Sequence, residues 1–220
     1  MAKNDDPSPS TPGTDDLLPT RRSLLGRLKD WRDDRSWQEF FDTYWRLIYG
    51  VALKAGLSPS EAEEVVQETM LSVAKKMKDF RYDPVRGSFK GWLLQLTGWR
   101  ITNQFHRRSA RGVAGDPELA KSATFGAAME PDNGFVVPPE LYKIWQKEWE
   151  LNLMQGALDR VRKHAKPKHF QVFDLAVLQH KPLKQIREFL GISMAEVYLA
   201  KHRVGKMVQS ELARLRKQEP

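Results

Sequence analysis

Residues 183–203 read LKQIREFLGISMAEVYLAKHR, and this stretch decides the fold of the C-terminal part of the chain. Its apolar residues have the spacing of two helices joined by a tight turn. Gly191 suits the turn because glycine adopts a positive φ without steric cost. Ile192 is expected to fill the angle between the helices, and Ser193 with Glu196 forms a capping box for the second one. The stretch therefore predicts a helix-turn-helix.

The second helix of such a motif places its first side chains in the DNA major groove, while lysines and arginines hold phosphates. The candidate DNA-contacting residues are Met194, Ala195, Tyr198, Leu199, Lys201, His202 and Arg203. The alternative is an ordinary helical hairpin with a solvated basic face. Arg187 counts toward that alternative, because the motif usually has a small residue, normally alanine, at this position.

Charge along the chain points to a polyanionic partner. The 220 residues carry a formal net charge of +8, and the excess is concentrated in two segments, 81–111 and 160–217. The second segment has fourteen Lys and Arg against four acidic residues. Two separate cationic surfaces are therefore expected. The absence of cysteine excludes disulfides, thiolate zinc sites and thiol nucleophiles, and it fits a reducing cytoplasm.

Helical spacing of apolar residues extends through most of the chain. Residues 58–61 give the clearest helix start, because Ser58 caps, Pro59 follows and Glu61 completes a capping box. The expected inward stripe of that helix is Ala62, Val66, Thr69, Val73 and Met77. Further helices are predicted over Arg21 to Trp31, Ser36 to Lys54, Phe89 to Arg108, Leu141 to Pro167, and Lys168 to His180.

These observations predict an all-α protein of two small helical domains joined by a flexible linker. Residues 1–20 are expected to be a disordered acidic tail, without the basic start and apolar stretch of a secretory signal. The domains are predicted over 21–108 and 140–217, with the linker at 109–139 because that segment is rich in Gly, Ala and Pro. No apolar run approaches the roughly 20 residues of a membrane span.

Several motifs occur in an order that resembles bacterial sigma factors. Trp37-x-x-Phe40-Phe41-x-x-Tyr44, then GL at 56–57, EAEEVVQET at 61–69 and GSFKGWL at 87–93 resemble their promoter-melting domain, and residues 170–215 look like their second DNA-binding domain. The two-domain arrangement is similar to the extracytoplasmic-function (ECF) group. The stretch YLAKHRV at 198–204 and the tryptophan-rich helix before Pro167 look closer to planctomycete-like variants.

The resemblance covers most of 37–108 and 141–216, and it implies the partners and the site residues. The helix-turn-helix would read a −35 element. Core RNA polymerase would be bound through its β′ clamp helices and β flap, with the clamp helices meeting Glu64, Gln67, Glu68 and Leu71. The −10 element would be held by Arg81, Tyr82, Arg86, Lys90, Asn103, Arg107 and Arg108, which offer cations for the backbone and polar groups for an unstacked base.

The sequence does not indicate an enzyme or a cofactor. The five histidines show no metal-binding spacing, and no glycine-rich phosphate loop is present. The expected protein is a cytoplasmic sigma factor, monomeric when free, with an anti-sigma factor as a further partner. Two alternatives stay open: a sigma-like decoy that binds an anti-sigma factor without promoter activity, and a conventional helix-turn-helix repressor, which leaves the N-terminal domain unexplained.

Overall fold

The computed structural model describes residues 22–78, 88–110 and 135–217, and every regular element in those ranges is helical. The predicted all-α class is confirmed. In chain order the elements are α1 (Arg22–Arg27), α2 (Asp34–Lys54), α3 (Pro59–Met77), α4 (Phe89–Ala110), α5 (Pro139–His164), α6 (Pro167–Phe173), a π-helical turn (Asp174–Leu178), α7 (Leu183–Leu190) and α8 (Met194–Lys217).

Side-chain caps explain where α2 and α3 begin. The carboxylate of Asp33 accepts a hydrogen bond from the backbone N–H of Ser36 at 3.0 Å. The predicted capping box of α3 is present: the Ser58 backbone N–H donates to the Glu61 carboxylate at 2.8 Å, and the Glu61 N–H donates back to the Ser58 hydroxyl at 3.4 Å. Between the two helices Gly56 has φ of +98°, the left-handed conformation that commonly follows the end of a helix and that suits a glycine.

Helices α2, α3 and α4 pack around one apolar core. All five residues of the stripe predicted on α3 are buried. On α2 the predicted apolar positions are buried as well, apart from Trp37 and Phe41: Trp37 is half-buried against the core and Phe41 is exposed. Aromatic side chains fill the centre, with Phe40 and Phe89 meeting edge to face at 6.1 Å between ring centroids.

Helix α5 belongs to two packing environments. Its first half places Leu141, Trp145 and Trp149 in the same core cluster as α2 and α4. Its second half packs against α8, where Ala157 and Val161 are buried. A single apolar cluster therefore runs from α1 to the end of α8 through α5.

The helix predicted over Lys168 to His180 is two different elements. The α-helical part, α6, ends at Phe173, and the π-helical turn continues to Leu178 with a hydrogen bond from the Gln179 N–H to the Asp174 carbonyl at 2.9 Å. His180 has φ of +53°, which turns the chain toward Pro182 and α7. Apolar periodicity does not distinguish an α-helix from a short π-turn.

The predicted linker is described only at its two ends. Helix α4 continues to Ala110, and residues 135–138 lead into α5, with Phe135 packed near Gly98 of α4. Residues 1–20 and 111–134 lie outside the described ranges, so the disordered tail and the flexible linker stay predictions. None of the described helices has the length and apolarity needed to cross a lipid bilayer.

Candidate nucleic-acid interface

The turn between α7 and α8 has the geometry predicted for a helix-turn-helix. Gly191 lies in the left-handed region, with φ of 61° and ψ of 41°. The next residue, Ile192, donates its backbone N–H to the Arg187 carbonyl at 3.2 Å. At the start of α8 the Ser193 N–H donates to the Glu196 carboxylate at 2.8 Å, and the Glu196 N–H donates to the Ser193 hydroxyl at 3.2 Å.

Glu196 stabilises this cap through the charge of its carboxylate. Its pKa is lowered from the usual value, chiefly by the hydrogen bond from the Ser193 backbone N–H, with the charge of Lys168 as the smallest contribution. The charged carboxylate thus lies at the positive end of the α8 dipole. Because the Glu196 carboxylate is bound at the cap, the candidate residues on the outer face of α8 are all neutral or basic.

A small apolar core of its own holds the motif together. Its buried members are Val172, Ile186, Val197 and Ala200. Arg187, which occupies the position where a small residue was expected, is not among the buried members of this core. Its side chain is 42% exposed and contacts the Glu188 carboxylate at 3.4 Å. The structure thus accommodates an arginine at this position with its side chain partly in solvent.

The outer face of α8 carries the candidate residues of the second helix. Six of the seven are exposed and Met194 is half-buried. Tyr198, at 57% exposure, lies in a shallow groove together with Lys201 and His202. Gly205, Lys206 and Gln209 extend that groove one turn further along the helix. Sequence reasoning missed these three, although they continue the helical spacing from Tyr198 and His202.

The seven residues predicted for the −10 element do not form one continuous surface in the described part of the chain. Arg81, Tyr82 and Arg86 lie outside the described residues. The other four are on α4, but they point in different directions. Lys90 faces α5, with its ammonium 4.8 Å from the centroid of the Trp149 ring, and Asn103 is half-buried on another side of the helix.

Arg108 closes the far end of α4 against the start of α3. Its guanidinium forms a two-pronged ion pair with the Glu61 carboxylate, with the Nε–Oε1 distance at 3.0 Å, and it also donates to the Gly56 carbonyl at 3.3 Å. This hydrogen bond is the main reason why the pKa of Glu61 is lowered to about 2. Arg108 therefore has a structural partner within the chain.

The acidic residues on the predicted polymerase-binding face are also engaged by α4. The Glu68 carboxylate accepts from Arg100 at 3.1 Å and from Arg107 at 2.9 Å. One turn earlier along α3, Gln104 donates to the Glu64 carboxylate at 2.8 Å. Sequence reasoning missed Arg100 and Gln104 as partners of these acids, since the pairing depends on how α3 and α4 are juxtaposed.

The remaining two residues of that face are open. Gln67 is exposed, and Leu71, one turn later, is 60% exposed. The face thus consists of a polar and an apolar side chain in the open, flanked by carboxylates that α4 holds in place. Among the residues that the structure describes, no three His, Cys, Asp or Glu side chains are grouped so that they could hold a metal ion.

Comparison with known proteins identifies the N-terminal part. Residues 40–111 match the family model described as Sigma-70 region 2, so the chain contains a Sigma-70 region 2 domain. The chain is also similar to the ECF RNA polymerase sigma factor RpoE of Cereibacter sphaeroides, with 31% identity over 130 residues. The matched stretch covers 59% of this chain and 64% of that relative.

Proposed function

We propose that this chain, with its Sigma-70 region 2 domain at residues 40–111, works as a sigma factor of the ECF type. It directs core RNA polymerase to specific promoters, reads the −35 element with its helix-turn-helix and helps to open the −10 region with its N-terminal domain. The polymerase carries out the chemistry, and the chain itself is not a catalyst. Its work is done in the cytoplasm, where the polymerase and the promoters are.

One combination of observations carries the proposal. The region 2 match and the helix-turn-helix with an exposed basic outer face occur in the same chain. A conventional repressor needs only the second feature. A protein that joins both has the parts needed to contact a promoter at two places.

On the −35 side, the outer face of α8 supplies two kinds of contact. We assign Tyr198 and His202, which are exposed and share a groove, to base edges in the major groove, and Lys201, Arg203 and Lys206 to phosphates. This division of roles follows from side-chain chemistry, since lysine and arginine supply the positive charge that phosphates attract.

On the polymerase side, the open pair Gln67 and Leu71 makes the contact, and Glu64 and Glu68 support it. Because α4 holds both carboxylates through Gln104, Arg100 and Arg107, their positions are fixed before binding. The −10 contacts fall to the 80–88 segment and the adjoining start of α4.

Transcription from purified components tests the proposal. The full chain is added to core RNA polymerase and a template that carries the upstream region of its own operon. We expect a transcript with a single defined start, absent when either protein is omitted. The control template carries a promoter of the primary sigma factor, which core polymerase alone does not recognise. No transcript from any segment of the source genome, together with no binding to core polymerase, would contradict the proposal.

The decoy alternative gives a different result in the same assay, namely binding to an anti-sigma factor without transcription. Its motivation was Arg187, whose side chain is 42% exposed and contacts the Glu188 carboxylate. An anti-sigma partner of an active sigma factor stays part of the proposal. The planctomycete-like assignment rests on residues 198–204 and the tryptophan-rich helix, and the relative from C. sphaeroides gives it no support.

A further inference from the structure

Helices α2 and α5 enclose a cavity of about 490 Å³. It is lined by residues of the 42–46 segment of α2 and of the 156–163 segment of α5, and Thr43 and Gly156 belong to its buried lining. Ligand pockets in proteins measure roughly 300–1,000 Å³. No residue assigned above to the −35 element, the −10 element or the polymerase lines this cavity, which we call the α2–α5 cavity.

Both helices carry the same three residue types at four-residue steps beside this cavity. The triplets run glutamine, aspartate and a cation, namely Gln38, Asp42 and Arg46 on α2, and Gln155, Asp159 and Lys163 on α5. In each triplet the glutamine amide donates to the aspartate Oδ1, at 2.9 Å on α2 and at 3.0 Å on α5. An aspartate and a cation four residues apart on a helix can pair, but none of the ion pairs in the described part of the chain joins the members of these triplets. The charged groups of the cavity are therefore held apart.

The cavity keeps an excess of positive charge. Arg160 is buried, and its guanidinium is balanced by the Glu211 carboxylate of α8 at 2.8 Å. The other cations of the lining, Arg46, Arg162 and Lys163, outnumber its two aspartates. The dipole of α5 favours cations in its last turn, but it does not account for Arg46, which lies in the middle of α2. A concave site with such an excess attracts an anion.

Trp45 adds an aromatic face to the lining. Its ring stacks on the Phe41 ring with 12° between the planes, and the guanidinium carbon of Arg46 lies 5.2 Å from the indole centroid. Trp45 is half-buried and packs against the core, so its ring has a fixed position before a ligand arrives. Nucleobases stack on aromatic rings and on arginine guanidinium groups. The α2–α5 cavity thus combines a surface for a base with cations for phosphates.

We propose that the α2–α5 cavity binds a purine nucleoside triphosphate. The base stacks on Trp45, and the phosphates meet Arg162 and Lys163. A purine fits this role because it offers a larger face for stacking than a pyrimidine does. The Oδ2 atoms of Asp42 and Asp159 accept hydrogen bonds from the ribose hydroxyls or from the N–H groups of the base, since the glutamine amides contact only Oδ1. The proposal is independent of the proposed promoter and polymerase contacts.

Isothermal titration calorimetry with the full chain tests the proposal. The probes are ATP and GTP, with adenosine, guanosine and inorganic tripolyphosphate as the separate halves of these ligands. We expect at least one of the two nucleotides to bind about tenfold more tightly than its nucleoside or tripolyphosphate, because its base and phosphates bind as one linked ligand. The same nucleotide should raise the Tm of the chain, since a ligand that binds only the folded state stabilises it.

Two variants assign the binding to the α2–α5 cavity. Arg162→Ala with Lys163→Ala should weaken nucleotide binding about tenfold or more, because it removes the cations that meet the phosphates. Trp45→Leu keeps an apolar side chain against the core and removes the aromatic face, so it should weaken nucleotide binding and leave tripolyphosphate binding unchanged. The matched control is Lys143→Ala with Lys147→Ala, two exposed lysines of α5 outside the cavity, and it should bind the nucleotide as the natural chain does. The Tm of each ligand-free variant shows that it is folded.

Three results would overturn the proposal. The first is no binding of ATP or GTP at millimolar concentration, and the second is equal affinity of the natural chain and the Arg162→Ala, Lys163→Ala variant. The third is tripolyphosphate binding as tightly as both nucleotides, which would leave no role for a base on Trp45. Loss of nucleotide binding in Lys201→Ala with Arg203→Ala, together with normal binding by the cavity variants, would place the anion on the outer face of α8 and overturn the proposal as well. Neither polymerase nor DNA enters this assay, so each of these results leaves the proposed function intact.

Discussion

At the scale of single residues, Gly191 shows where the backbone decides the amino acid. Its φ of 61° lies in the left-handed region, and no side-chain or backbone atom lies within 4 Å of the place where a Cβ would be. Glycine is therefore favoured at this position by the backbone conformation and not by crowding around a Cβ atom. The same residue ends α7 and sets the direction of α8, so the orientation of the proposed DNA-binding face depends on it.

Replacing this glycine gives the first prediction. Gly191→Ala should lower the free energy of unfolding by about 1 kcal/mol, the usual cost of a left-handed backbone for alanine. Urea denaturation followed by circular dichroism measures this change. Gly191→Asn is the matched control and should lose less, because asparagine tolerates this conformation better. Equal stability of the alanine variant would contradict the strained-backbone account.

A second residue-scale prediction concerns acid stability. The pKa of Glu61 is lowered from 4.5 to about 2, mainly by the hydrogen bond from Arg108. A carboxylate with a depressed pKa stabilises the fold above pH 4.5, and this contribution is lost as the pH falls toward 2. At about 1.4 kcal/mol per pKa unit it amounts to at most about 3.5 kcal/mol, and solvent screening of the ion pair lowers this figure.

The measurement compares the free energy of unfolding of the natural chain and of Glu61→Gln between pH 6 and pH 2. The variant should be less stable at pH 6 and should converge with the natural chain as the acid range is entered. Glu63→Gln, on the exposed side of the same helix, is the control and should follow the natural chain throughout. A constant gap between Glu61→Gln and the natural chain at every pH would argue against the ion pair.

At the scale of elements, α8 packs against the core with one face and carries the candidate DNA contacts on the other. Val197, Ala200 and Val204 point inward, and the candidate DNA contacts point outward. Residues of the two sets alternate at helical spacing, so the outer set can be changed without disturbing the core. This separation is what allows the helix to be tested for binding alone.

The third prediction uses that separation. Lys201→Ala and Arg203→Ala should each weaken promoter binding by the polymerase complex, and each should reduce the salt slope of the binding constant by about 1 if the side chain holds a phosphate. Binding is measured by fluorescence anisotropy over a salt series. Lys75→Ala, an exposed lysine at the end of α3, is the control. A loss that is the same at every salt concentration would mean that the two side chains do not contact phosphates.

Helix α3 shows the opposite arrangement, because its predicted docking face is partly used within the fold. Glu68 bonds to two arginines of α4, while Gln67 and Leu71 are open. Truncating Glu68 would therefore disturb the packing of α3 on α4 as well as any interface. Truncating the open pair would not.

The fourth prediction follows from this difference. Gln67→Ala with Leu71→Ala should weaken binding to core polymerase by about thirtyfold, at roughly 1 kcal/mol for each truncated contact, with an unchanged Tm. Glu68→Ala, by contrast, should lower the Tm because it removes the carboxylate that accepts from both Arg100 and Arg107. Titration of labelled core polymerase and a thermal melt distinguish the two. Normal binding by the double variant would place the docking face elsewhere.

At the scale of the whole molecule, α5 packs against both of the parts that the sequence pattern predicts as separate domains. Trp145 is fully buried in the core shared with α2 and α4, and Val161 is buried near the other end of the same helix. The two predicted domains therefore share a structural element. Stability and the relative position of the two proposed DNA-binding faces both depend on it.

The fifth prediction tests this shared core. Trp145→Ala should cost about 3–5 kcal/mol, the usual range for removing a buried large aromatic side chain. Because the apolar cluster is continuous, the natural chain should unfold in one transition, and the variant should shift that transition as a whole. Differential scanning calorimetry follows both. Two transitions in the natural chain, with only one shifted by the variant, would mean that the parts fold independently.

The sequence by itself determined the local features: the capping boxes at Ser58 and Ser193, the turns at Gly56 and Gly191, and the buried stripe of α3. These depend on interactions within a few residues, which a sequence displays directly. Only the tertiary structure decided that Arg108 binds Glu61, that Arg107 binds Glu68 and that Lys90 lies on Trp149. Each of these is a long charged side chain whose partner is set by how two distant helices pack. The sequence pattern around a basic residue is the same whether its partner is a phosphate, a carboxylate or an indole. The partner depends on which groups the folded chain brings within reach of the side chain.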